Sequence, residues 1–225
     1  MIGYLSSAIG RKQLMALTGL IWSGFVLTHM LANMLILFSA DAYNKYSHAL
    51  TTNPLIYLAE ALLVLTLLLH IFYGIKLTLE NRKAKAHKSA KPTNGPKAPR
   101  FQSKFMAYHG TLILAFIILH LATFKYGTHY TTTIDGVEMR DLHRLVLEVF
   151  QSPLYVAWYL IALVFVGLHL SHGLWSSLST LGFYHPERSK TLNVIGYIYA
   201  AVIAAGFMSQ PIYVLFFAGT SGGGQ

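Results

Sequence analysis

Residues Leu160–Leu178 read LIALVFVGLHLSHGLWSSL, an apolar run long enough to cross a bilayer that nevertheless holds two histidines. An ionisable residue inside a membrane span is costly and marks a functional site by default. A second run, Leu62–Leu79 (LLVLTLLLHIFYGIKLTL), repeats the local pattern. His70 is followed by Tyr73 and Gly74, and His169 by His172 and Gly173. A glycine one turn after a histidine bares the backbone beside the imidazole, where a flat ligand can lie.

Outward from these runs, the whole chain reads as membrane protein. It is 54% hydrophobic and 11% charged over 225 residues, where soluble domains carry about 25% charged residues. Five apolar runs, Leu14–Phe38, Leu55–Leu79, Phe105–Phe124, Leu154–Leu178 and Leu192–Phe217, each match the roughly 20 residues that a spanning helix needs. The expectation is an all-α integral membrane protein, a single membrane domain over residues 1–225, with the first four helices forming a cofactor-binding bundle. The first run is too long for the apolar stretch of a cleaved signal peptide. The absence of cysteine excludes disulfides, thiolate-held iron–sulfur clusters and thioether-linked haem.

The net charge of +9 is a topology signal here rather than a nucleic-acid one. Arg11 and Lys12 precede the first run, eight Lys and Arg residues crowd loop 80–104, and Arg188 and Lys190 lie in loop 180–191. Loop 39–53 has only Lys45, and the three cations of loop 125–152 are offset by Asp135, Glu138, Asp141 and Glu148. The positive-inside rule places the N-terminus and the two basic loops in the cytoplasm and the C-terminus outside the cytoplasmic membrane. Loop 80–104, rich in Lys, Ala and Pro, reads as a flexible lipid-facing connector. Loop 39–53 reads as tight and polar. Leu142, Leu145, Val146, Val149 and Phe150 recur at helical spacing, which predicts a short helix lying on the membrane surface. The tail SGGGQ reads as disordered.

Orientation converts sequence position into depth. At 1.5 Å per residue, His29 and His120 each lie about 22 Å from the inner ends of spans one and three, and His70 and His169 about 14 Å from the inner ends of spans two and four. Four helices therefore offer one histidine each at two matching depths. A lone intramembrane histidine is as often a packing residue as a ligand; two depth-matched pairs are a much rarer coincidence. Paired imidazoles in a bundle core suit bis-histidine ligation of haem iron. This predicts two b haems, an outer one on His29 and His120 and an inner one on His70 and His169. His172 competes with His169, but the glycine echo favours His169. His109 reads as an interfacial anchor or a hydrogen-bond donor to a haem propionate. Glu60 falls about 8 Å below the outer end of span two. A carboxyl in apolar surroundings holds its proton tightly, which suits proton exchange with a quinone. His48 sits in the adjoining loop beside the same level.

These residues resemble the di-haem cytochrome b anchors of succinate:menaquinone reductases and quinol:fumarate reductases. The matching segments are FVLTHMLANM around His29, DAYNKYSHALTTNPLIYLAE, LLHIFYGI around His70, FIILHLAT around His120, QSP at 151–153 and LHLSHGLWS around His169. The resemblance implies the same four axial ligands, menaquinone as electron partner, and cytoplasmic flavoprotein and iron–sulfur subunits. A dimer of complexes is compatible with it. Some menaquinol:fumarate members carry a membrane glutamate two residues before the last haem histidine; here that position is Gly167. The competing readings are a di-haem cytochrome b of a hydrogenase or formate dehydrogenase, a haem-free transporter using histidine relays, and a structural anchor without quinone activity.

Overall fold

The computed structural model describes residues 3–4, 7–86, 101–183 and 189–218, and the side chains of 84–86 and 101–104 are not among those described. The centre of the basic loop, with His87, Lys88, Lys91, Lys97 and Arg100, lies outside the described residues, as do His185, Arg188 and the SGGGQ tail.

Five helices are long and apolar enough to cross a membrane, over Ala8–Leu37, Leu55–Lys83, Phe105–Lys125, Pro153–Phe183 and Ser189–Ala218. The regular α-helical parts are α1 (Ala8–Asn33), α3 (Leu55–Ala86), α4 (Phe101–His120), α6 (Pro153–Leu178) and α7 (Ser189–Tyr213). Each cap has a local cause. The Ser7 hydroxyl accepts from Gly10 N at 3.0 Å to start α1, and Ser152 with Pro153 starts α6. The membrane part is all-α, as composition predicts. A single helix must satisfy its own backbone groups when hydrocarbon offers no partner.

The outer loops are more ordered than expected. Residues 39–53 are not a tight loop but a helix, α2 (Ala40–Thr52), capped by the Ser39 hydroxyl. After α4 the chain forms a hairpin of β1 (Thr131–Ile134) and β2 (Val137–Arg140), the only strands among the described residues. Asp135 and Gly136, at φ 53° and 77°, make its turn, as Asp-Gly pairs favour. The predicted short amphipathic helix exists as α5 (Leu142–Phe150). Its apolar face is covered by protein rather than left for lipid. Leu145, Val146 and Phe150 are buried against protein, because the ends of α1, α6 and α7 meet beneath it.

That meeting point is a buried hydrophobic core. Ile36, Tyr43, Val146, Phe150, Val156, Tyr159 and Val214 pack together. We call this the cap end. Arg11, Lys12, Arg82, Lys83 and Lys190 lie toward the opposite, basic end, where Arg11 pairs with Glu80 at 3.2 Å to join α1 to α3.

α6 is the hub of the bundle and packs on α7, α4 and α1, whereas α3 lies mainly on α1 and touches α4 lightly. Glycines set the closest approaches. A Cβ at Gly206 would meet Met30 Sδ at 2.5 Å, so only glycine lets α7 close onto α1 there. A Cβ at Gly167 would meet the Ala204 Cβ at 3.3 Å. The position where a glutamate was sought is therefore a helix–helix contact with α7.

Candidate functional site

The structure brings together the same four histidines that the depth argument pairs. His29 of α1 and His120 of α4 face each other with ring centroids 5.9 Å apart. His70 of α3 and His169 of α6 do so at 6.2 Å. The first pair lies toward the cap end and the second toward the basic end.

Each ring is steered by neighbours distant in sequence. At the basic-end pair, Thr18 Oγ1 lies 3.2 Å from His70 Nδ1 and donates its own proton to Leu14 O at 2.8 Å. With its proton so used, the hydroxyl can accept from the imidazole, and the tautomer with N–H on Nδ1 leaves the Nε2 lone pair for a ligand. A Cβ at Gly19 would stand 3.3 Å from His70 Cε1, so this glycine makes room for the ring, while one at Gly110 would only touch His169 Cε1 at an ordinary 3.8 Å. At the cap-end pair, the Tyr159 hydroxyl lies 3.1 Å from His120 Nδ1. Phe25 stacks on His29 at 5.3 Å and Phe207 of α7 adds a tilted contact at 5.9 Å. Phe116 and Phe124 flank His120 at 5.8 and 5.4 Å.

This arrangement fits a metal held between two rings. Two imidazole nitrogens, each about 2 Å from one metal, put their ring centroids about 6 Å apart. His169 Nδ1 is buried without a hydrogen-bond partner among the described residues. A buried polar atom so left is costly unless the ring's chemistry is spent elsewhere. Among the described residues no group of three or more His, Cys, Asp or Glu is placed to hold a metal ion, so two-point ligation of a macrocyclic metal is what the pairs can offer.

The two echoing glycines differ. Space beside Gly173 is open, while Gly74 is filled from α1, where Met15 Cε lies 3.2 Å from the place of a Cβ. His109 is buried between α4 and α6 with its ring 5.4 Å from Phe165, and its Nδ1 has no partner among the described residues. His48 is half-buried on α2, and its backbone carbonyl accepts from Thr52 Oγ1 at 2.8 Å.

Glu60 is not the isolated carboxyl that span two suggests. It pairs with Lys125 from the π turn that ends α4, and both side chains are partly exposed on the face of the bundle. Arg140 donates to the Lys125 carbonyl at 3.4 Å, tying this turn to the hairpin. One turn toward the cap, Leu50, Asn53, Leu55, Ile56 and Ala59 line a mostly apolar pocket of about 160 Å³.

The chain is similar to the succinate dehydrogenase cytochrome b558 subunit of Bacillus subtilis (strain 168), with 23% identity over 186 residues that make up 81% of this chain and 84% of that one. No family model and no solved structure matches it.

Thr18, Gly19, Gly110 and Tyr159 escape sequence reading, although all flank the histidine pairs. Only Gly19 and Gly110 leave a trace, as glycines inside apolar runs where a packing reason is expected.

Proposed function

We propose that the chain is the membrane cytochrome b subunit of a succinate dehydrogenase or fumarate reductase complex. It anchors a flavoprotein and an iron–sulfur subunit and exchanges electrons between that partner and menaquinone. The reading rests on two facing histidine pairs, each built from two different helices, stacked at two levels of one bundle. The name of its Bacillus relative supports the complex.

Two haem b groups would sit between these rings, His29 and His120 holding the one nearer the cap, His70 and His169 the one nearer the basic end. When bound, such a group would supply one-electron transfer. The residues of the chain do the rest. Thr18 and Tyr159 orient ligand rings, the phenylalanines around His29 and His120 keep water out, and the open side of Gly173 leaves room for a flat ring. The cations of the basic end favour the cytoplasmic side, where the iron–sulfur partner docks beside the His70 and His169 level.

The cap end then faces outward. Quinone reduction takes up two protons, so a quinone site needs an acid–base group near an electron donor. We assign that role to Glu60, below the pocket at Asn53 and Ile56, with Lys125 as its counter-ion and His48 on the helix above. A Cβ at Gly167 would stand 3.3 Å from Ala204 Cβ, so a carboxylate at this position would press against α7.

A pyridine haemochrome assay and a redox titration of the purified complex test this reading. Two b haems per chain are expected. His29→Ala or His120→Ala removes one, and His70→Ala or His169→Ala the other. Intact protein without haem overturns it.

A further inference from the structure

Hydroxyls bridge α4 and α6 at two successive turns beside the cap-end pair. Tyr159 of α6 sets its hydroxyl 3.1 Å from His120 Nδ1. One turn nearer the cap, the Tyr155 hydroxyl is hydrogen-bonded to Thr123 Oγ1. Tyr155 and Tyr159 stack with their ring centroids 5.2 Å apart, and their side chains are hydrogen-bonded to each other. The groups form one thread, from His120 through Tyr159 and Tyr155 to Thr123.

Both ends of the thread are held. Tyr159 is buried, with Phe116 and Phe150 against its ring at 4.9 and 5.0 Å. Thr123 sits in the π turn Leu121–Lys125 that ends α4. Gly127 closes over that turn, where a Cβ would collide with the Thr123 carbonyl oxygen. The basic-end pair is built differently. Thr18 spends its proton on the Leu14 carbonyl of its own helix, so the path from His70 stops at the first hydroxyl.

We infer that Tyr159 is a positioning residue for His120, and that the hydroxyl thread behind it sets the redox potential of the iron that His120 ligates. The inference rests on the haem reading above. An imidazole that gives Nε2 to a metal carries N–H on Nδ1, and that N–H needs an acceptor. A hydroxyl donates and accepts at once. Tyr159 accepts from the ring while its own proton goes to Tyr155, and that of Tyr155 to Thr123. Hydrogen bonds in such a chain polarise one another, so each onward donation makes the Tyr159 oxygen a better acceptor. A ring whose N–H is accepted in this way is a stronger base and favours the oxidised metal. The thread thus lowers the potential of the cap-end iron.

The test is a redox titration of the full complex, followed optically and by electron paramagnetic resonance, in the parent, Tyr159→Phe, Tyr155→Phe and the double variant. The cap-end haem is identified as the one lost in His29→Ala. Phe keeps each ring in place and removes one hydroxyl. Tyr159→Phe should raise the reduced-to-oxidised ratio of that haem at a given potential by about three- to tenfold, the worth of one hydrogen bond. This is about 28–59 mV for a one-electron couple, and the haem's resonance signature should change with it. Tyr155→Phe leaves the first acceptor and should move the potential the same way by less. The double variant should match Tyr159→Phe, because Tyr155 reaches the ring only through Tyr159. The haem on His70 and His169 should keep its potential throughout. If Tyr159→Phe sheds the cap-end haem, Tyr155→Phe decides alone. A parental or lowered potential in either single variant that retains both haems, or full additivity in the double variant, overturns the inference. A parent complex without b-type absorption overturns the haem reading itself.

Discussion

Replacing Thr18 by Val isolates one hydrogen bond at the basic-end pair. Thr18 is 3% exposed, and Val fills nearly the same space. The change removes the oxygen that faces His70 Nδ1 at 3.2 Å, while Leu14 O keeps its helical partner. The imidazole then loses the hydroxyl beside it and keeps the Met15 carbonyl, a loss of about 0.5–1.5 kcal/mol. Loss of a partner that orients a metal ligand weakens metal binding by about 10- to 100-fold. We therefore expect the haem held by His70 and His169 to leave the purified complex about 10- to 100-fold faster into an excess of apomyoglobin. The haem on His29 and His120 should leave at the parental rate. Thr18→Ser restores the hydroxyl and should restore retention. Equal loss of both haems, or a Ser variant indistinguishable from Val, would refute the argument that the hydroxyl steers His70.

Three further outcomes are expected. Glu60→Gln, which breaks the pair with Lys125, should lower quinone-linked turnover by roughly 100-fold or more while leaving both haem spectra and flavin-linked reduction of an artificial acceptor intact; parental menaquinone turnover would make Glu60 a structural residue. Burial holds His143 of α5 below its ordinary value of 6.5, against a weaker pull from Asp141. The folded cap then favours the neutral ring, so its contribution is complete above about pH 6.5 and is lost as pH falls through that value toward the lower folded one. The protection factors of the α5 amides, with the intrinsic pH dependence of exchange divided out, should fall with acid in the parent, and pH-independent protection would count against this. Finally, the chain has no cysteine, so a single Val137→Cys in the exposed hairpin should react with an impermeant maleimide from outside intact spheroplasts. Lys190→Cys should react only after permeabilisation, and the opposite pattern reverses the orientation.

The membrane part was legible because hydrocarbon imposes a simple code. Length and apolarity mark the spans, and a rise of 1.5 Å per residue sufficed to match His29 with His120 and His70 with His169. The cap was not legible in the same way. α2 is polar, with Asn, Ser, Thr and Tyr throughout, and its helix is held by Tyr43 and Asn44 reaching residues far along the chain. The hairpin had a readable mark, Asp135-Gly136 between Thr-rich and Val-containing segments, a pattern that favours a tight turn. α5 was recognised by its periodicity but assigned to lipid, because an apolar face does not say whether lipid or protein will cover it. The partners of the histidines, Thr18 and Tyr159, are ordinary residues whose meaning comes only from long-range contact. Glu60 looked isolated in its own helix because Lys125 lies on another.

The core beneath the cap joins Ile36 and Tyr43, made early, to Val146 and Phe150, made late, and to Val214 close to the end of the chain. During synthesis these residues cannot meet until the final span has entered the membrane. Contacts of such long separation close last. The early helices therefore wait, with α2 lacking its floor and Tyr43 its burial, while the ribosome finishes α7. A chain stopped short of α7 presents an open, apolar end of the bundle to the chaperones and proteases of the membrane.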